Sequence, residues 1–130
     1  MFSQVSTSGS SALAMRLAGS GGVEATGYLS ASGGATSGGA GNAASSTTGF
    51  RLGGNYASNL SWDGSITLSL LNSASNIWVI SGVLISDAGT VQMYASAGTK
   101  TITGALTQVR ITTDGGTDTF DAGTINILYE

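Results

Sequence analysis

An all-β chain is predicted, an antiparallel β-sandwich of the jelly-roll kind with about eight strands and a Gly/Ala/Ser-rich loop or arm. Three observations lead there. Apolar and polar residues alternate in short runs such as Ser65–Leu71 and Gln108–Thr112, the period of a half-buried strand. Clusters of Gly, Asn and Asp punctuate those runs, and these residues suit tight reversals. No stretch shows a 3.6-residue apolar period with capping residues, so no helix is expected. At 130 residues the chain fits a single domain, 1–130, able to bury roughly two-thirds of its unfolded surface.

The elements follow in chain order. Ala12–Leu17 is the first strand, with Leu13, Met15 and Leu17 on one face and Arg16 on the other. Gly19–Gly22 breaks it, and Val23–Ser32 is a weaker extended segment interrupted at Gly27. Residues 33–48 are Gly, Ala, Ser and Thr with one Asn, too little apolar area to offset the entropy of ordering them. A flexible loop or arm is therefore expected at 33–48, ordered by a partner if at all, with Gly34, Gly39 and Asn42 as contact residues.

Regular structure resumes at Gly49–Leu52. A turn follows at Gly53-Gly54-Asn55, then an irregular edge over Tyr56–Trp62. Ser65–Leu71 is the cleanest strand, with Ile66, Leu68 and Leu70 inward and Thr67 and Ser69 outward. Ile77–Ile85 is almost continuously apolar and reads as a strand buried on both faces, bulged at Gly82. Asp87-Ala88-Gly89 turns the chain into Thr90–Ser96. The last stretch reads as two paired strands reversing at Asp114-Gly115-Gly116, with Val109, Ile111, Ile125, Ile127 and Tyr129 on the apolar face. A terminal strand of this quality is expected in the middle of a sheet, since a free one would fray. Tyr28, Phe50, Trp78 and Phe120 are candidate core aromatics; Trp62, beside Asp63-Gly64, is the aromatic read as exposed.

Composition bounds the partners. Charged residues are only 8% of the chain, against about a quarter in ordinary soluble domains, and mean hydropathy is positive at +0.23. A surface so poor in charge resists association weakly, and the absence of proline removes a common edge-strand protector. Both point to a homo-oligomer, with a trimer expected. A formal net charge of −3 and scattered Arg16, Arg51, Lys100 and Arg110 offer no basic stripe to replace nucleic-acid counterions. No run is long enough to span a bilayer, and MFSQVSTSGS lacks a signal-peptide plan, so synthesis in the cytoplasm without ordinary export is expected.

Chemistry is bounded by elimination. Histidine and cysteine are absent, which removes Ser-His triads, thiol nucleophiles and the common zinc sites. Gly33-Gly34 and Gly38-Gly39 lack the GKS/GKT ending of a phosphate loop. Carboxylate-pair catalysis stays formally open through Asp63, Asp87 and the C-terminal acids, but no spacing singles out a general acid. Asp114, Asp118 and Asp121 could offer oxygen ligands to Ca²⁺, although their spacing is not that of an EF-hand; a solvated acidic turn is the simpler reading. No enzyme activity and no cofactor are expected.

The terminal residues carry a resemblance. Leu106–Thr113 (LTQVRITT), a Gly/Asp turn, then Phe120–Tyr129 (FDAGTINILY) resembles the C-terminal signature of small jelly-roll modules in tailed-bacteriophage virions, which tend to end in a Gly-x-Ile-x-Ile/Leu-x-Tyr strand. Leu13–Ser20 (LAMRLAGS) is similar to their Arg-containing opening strand. The likeness in residues covers the last quarter of the chain, and the 33–48 tract departs from it. It implies a trimeric or otherwise multimeric β-sandwich on the outside of a virion. The expected role is capsid decoration or cement, acting through contacts with the major capsid protein or other virion proteins. The alternative is a receptor- or carbohydrate-binding fibre tip, for which Trp62, Trp78 and the Tyr residues could serve as exposed aromatics.

Overall fold

The computed structural model describes residues 1–39, 41–54, 60–86 and 91–129. The expected Asn55 end of the first glycine turn, residues 56–59 and the Asp87-Ala88-Gly89 turn lie outside them. The fold is the predicted all-β antiparallel sandwich, with no helix among the described residues. Its strands are β1 (Phe2–Thr7), β2 (Leu13–Gly19), β3 (Gly22–Val23), β4 (Leu29–Thr36), β5 (Asn42–Ser46), β6 (Phe50–Arg51), β7 (Trp62–Asn72), β8 (Ile77–Ser86), β9 (Gln92–Thr101), β10 (Gln108–Thr113) and β11 (Phe120–Ile125). They divide unevenly: a seven-stranded sheet in the order β11-β1-β7-β8-β9-β4-β5, and a four-stranded sheet in which β2 pairs with β10, β3 and β6.

The core lies between the sheets. Leu13, Met15 and Leu17 project from β2, as their alternation requires, and meet Ile80, Leu84 and Tyr94 of the larger sheet in one buried cluster. Tyr28 and Phe50 are fully buried with ring centroids 5.0 Å apart at 84°, an edge-to-face pair that adds about 1 kcal/mol beyond area burial. Trp78 packs against this cluster partly buried. Two aromatics reverse their expected positions. Phe120 is 41% exposed on β11, whereas Trp62 is 1% exposed and packs against Tyr94 at 5.8 Å. Trp62 starts β7 instead of capping a turn, and its position in the period-2 pattern faces the core.

Strand β1 was not legible from alternation, because its apolar residues Phe2 and Val5 are three apart. A register shift between them, with Gln4 at φ 53°, turns both inward. The Asp63 carboxylate holds this kink, accepting from the Gln4 backbone N–H at 2.9 Å and from its side-chain amide. Gly123 on the neighbouring strand leaves the room: its φ is +87°, and a Cβ there would sit 2.3 Å from the Gln4 carbonyl oxygen.

Residues 33–36 and 42–46 are strand where a loop or arm was expected. β4 pairs with β9 along its whole length, from Leu29↔Thr99 to Thr36↔Gln92, and with β5 on its other side. Main-chain ladders on two edges replace the apolar area that the tract lacks. Small residues are what the packing needs here, since a Cβ on Gly34 would lie 1.9 Å from the Met93 carbonyl oxygen. The Ser32 hydroxyl donates to the Gly53 carbonyl at 2.7 Å, and the Ser30 hydroxyl accepts from the Arg51 N–H at 2.8 Å.

The C-terminal pair also differs from expectation. β10 pairs with β2 and β11 with β1, in different sheets, so the Asp114–Thr119 turn crosses between layers instead of closing a hairpin. β11 is an edge strand, and Ile127 and Tyr129, expected inward, are 72% and 90% exposed. A strand end with no neighbour on its outer side has nothing to cover it.

Candidate interaction surface

Strands β4, β8 and β9 have two unlike faces, set by alternation. On β8, Ile80 and Leu84 point into the core while Val83 and Ile85 point out and are 44% and 46% exposed. The expectation that β8 is buried on both sides is corrected: its outer face has no layer against it among the described residues. Gly82 carries no bulge. It pairs in register with Ile66, and a Cβ there would lie 2.3 Å from the Ser65 carbonyl oxygen. Ile66 and Leu68 face inward but only partly buried, and Leu70 is 46% exposed, because β7 outruns the smaller sheet.

Register assembles the outer face. Val83 lies beside Ala95, Ile85 beside Met93 and Ser81 beside Ala97; across the next ladder Ala31 lies beside Ala97 and Ala35 beside Met93. The outward positions of β4, β5, β8 and β9 are Leu, Ile, Val, Met, Ala, Gly, Ser and Thr, without a single charged side chain. Toward β5 the face dips into a shallow depression of about 750 Å³, floored by Ala31, Ala97 and Gly98 and edged by Leu29, Val79 and Ser45. Its chemistry is apolar contact plus hydroxyl and main-chain hydrogen bonding. Such a surface suits a protein partner.

The expected contact residues distribute differently. Gly34 is inside the β4–β9 ladder and Gly39, at φ +79°, forms the β4–β5 turn. Asn42 is exposed on β5, an edge of the larger sheet, and Trp62 is buried.

The structure does not bring the acidic residues together as a metal cradle. Asp114 takes Arg51 at 3.2 Å and the Thr48 hydroxyl at 3.2 Å, Asp118 accepts from the Ser11 N–H at 2.8 Å, and Asp121 accepts from the Ser6 hydroxyl. Each carboxylate ties a different pair of elements, and no group of three or more acids among the described residues could hold a metal. Asp63 is occupied by Gln4, and Asp87 lies outside the described residues.

A second polar cluster had no signal in the sequence, because its members are far apart in the chain. Lys100, 7% exposed, pairs with Glu24 and lies 5.3 Å from the Tyr28 ring centroid. The Tyr28 hydroxyl accepts from the Leu17 N–H at 2.8 Å and donates to the Glu24 carbonyl at 2.9 Å. The Lys100 hydrogen bond, helped by the Thr103 N–H, holds the Glu24 carboxyl below its usual range, while burial pushes the Tyr28 phenol up. These groups are mutually satisfied and close the end of the sandwich. The chain matches no protein-family model, no curated protein and no solved structure.

Proposed function

We propose that this protein is an assembly protein of a bacteriophage virion, a decoration or cement module on the capsid surface that works through protein–protein contacts as a homo-oligomer. The observation that carries the reading is the uncharged outer face of β4, β5, β8 and β9, with Val83, Ile85 and Met93 each close to half exposed. A chain with only 8% charged residues has little else to keep such a face solvated. The resemblance of the terminal strands to virion jelly-roll modules supplies the setting. The fibre-tip reading loses Trp62 to the core and keeps Tyr129 as an exposed aromatic.

The test is co-sedimentation of purified protein with expanded capsids of the phage that encodes it, beside adsorption to host cells. Saturable binding to capsids without cell attachment is the expected result. Cell attachment without capsid binding would replace this reading with the fibre tip.

A further inference from the structure

The chain leaves two apolar features uncovered, and they complement each other. One is the depression on the outer face. The other begins where β11 ends. Asn126 is anchored there, its N–H donating to the Met1 carbonyl at 2.9 Å and its carbonyl accepting from the Met1 ammonium at 2.7 Å. Past this clamp Ile127, Leu128 and Tyr129 are 72%, 86% and 90% exposed. Three consecutive large apolar side chains held in water by an anchored backbone are an unpartnered element, unlike the single exposed apolar residues common on any surface.

This segment does not lie in its own depression, since its three side chains are mostly exposed. Each extended residue advances about 3.4 Å, so Tyr129 stays within about 10 Å of Asn126. The depression centres on β9, four strand spacings from β11 in the sheet order, which is about 19 Å at ~4.8 Å per spacing. Contact between the two therefore falls to a second molecule.

We propose that Ile127–Tyr129 of one copy docks in the depression of a second copy. Large side chains meet a floor of Ala31, Ala97 and Gly98, neither side brings a charge that would be desolvated unpaired, and hydroxyls at Ser45 and Thr99 are at hand for exposed main-chain groups of the segment. Each copy gives one segment and receives one, an arrangement that closes by reciprocal exchange in a two-fold pair or head to tail in a ring such as a trimer. The proposal deepens the assembly reading by naming the surfaces that join the subunits.

Light scattering after size exclusion tests it with Leu128→Asp, which alters the segment, and Ala97→Arg, which blocks the depression. Both positions are solvent-facing, and circular dichroism checks that each variant keeps the wild-type fold. Wild type is expected to be a closed oligomer at micromolar concentration. Each variant alone is expected to be monomeric, its association weakened on the order of a hundredfold or more. Mixed, they should form a one-to-one heterodimer, because Ala97→Arg still offers a sound segment and Leu128→Asp a sound depression. An oligomer that survives either substitution, or a mixture that stays monomeric, overturns the proposal while leaving capsid binding free to succeed on its own. A monomeric wild type overturns it too, and the co-sedimentation result then decides the assembly reading separately.

Discussion

The two faces of β8 and β9 are built from neighbouring residues of the same strands, yet they live in different solvents. Leu84 is fully buried and Ile85 is 46% exposed; Tyr94 is 1% exposed and Met93 46%. On β8 both faces are largely apolar, while on β9 the inner positions include Gln92, Ser96 and Lys100 and the outer ones Met93, Ala95 and Ala97. What separates them is cover: β2 and β6 of the smaller sheet lie over one face, and no described residue forms a layer over the other. The contrast teaches that apolar content reports the capacity to be buried, while burial itself needs a partner.

The largest expected effect comes from charging the two faces in turn. Leu84→Asp places an unpaired carboxylate in the core at a cost above about 4 kcal/mol, enough to abolish the folded state. Val83→Asp, opposite Ser65 and Ala95 on the open face, should leave the far-ultraviolet circular dichroism and melting temperature close to wild type. If both variants melt alike, the assignment of inner and outer faces is wrong.

Next is the buried charge of the inner layer. The Arg51 side chain is 6% exposed and faces Asp114, itself 33% exposed. Asp114→Ala strips a carboxylate from a buried guanidinium, and a loss of about 3 kcal/mol is expected in urea unfolding. Asp121, whose residue lies exposed on β11, should cost far less when changed to Ala.

A smaller effect probes sheet spacing. Gly82→Val would press a side chain onto the Ser65 carbonyl across the β7–β8 ladder, and about 2 kcal/mol of overpacking is expected. On the open face, Ala95→Val has room and a better strand former, so its melting temperature should match or exceed wild type. Equal losses for the two would mean that both faces are packed.

The smallest effect is a pH dependence confined to the closed end of the sandwich. The folded Glu24 carboxyl lies below its ordinary value of 4.5, so its contribution is present above that value and lost as pH falls through the depressed one. Comparing wild type with Glu24→Gln from pH 7 to pH 3 should isolate an acid-labile part of about 1 kcal/mol, absent in the variant. The Tyr28 phenol is raised above its ordinary value of 10.0. Its contribution is present below that value and fades as pH climbs through the raised one, so Tyr28→Phe should flatten the alkaline limb.

Legibility followed the period of each segment. β2, β7 and β10 were readable because their apolar residues recur every second position and one set does face the core; β9 was read only as far as Ser96, and its recurring apolar set, Met93 and Ala95, faces outward. β1 was not, since the kink at Gln4 breaks the period and depends on Asp63, some sixty residues away. The β4–β5 hairpin was hidden for another reason: its strands are held by backbone ladders and close packing against β9, and neither leaves an apolar signature. Of the candidate interaction surface, Val83, Ile85 and Met93 were visible as apolar positions, but nothing local marked them as uncovered. Trp62 was misplaced because a neighbouring Asp-Gly suggested a turn, where Gly64, at φ +141°, continues the strand.

The all-β class, the single-domain size and the lack of His- or Cys-based chemistry follow from the sequence alone, because alternation, length and the inventory of side chains are local properties that no tertiary contact can change. The allocation of β10 and β11 to different sheets, the cover over one face and not the other, and the exposure of Ile127–Tyr129 were decided only by the tertiary structure. Pairing and burial are relations between distant segments, and an alternating strand offers the same ladder of donors and acceptors to any neighbour that reaches it first.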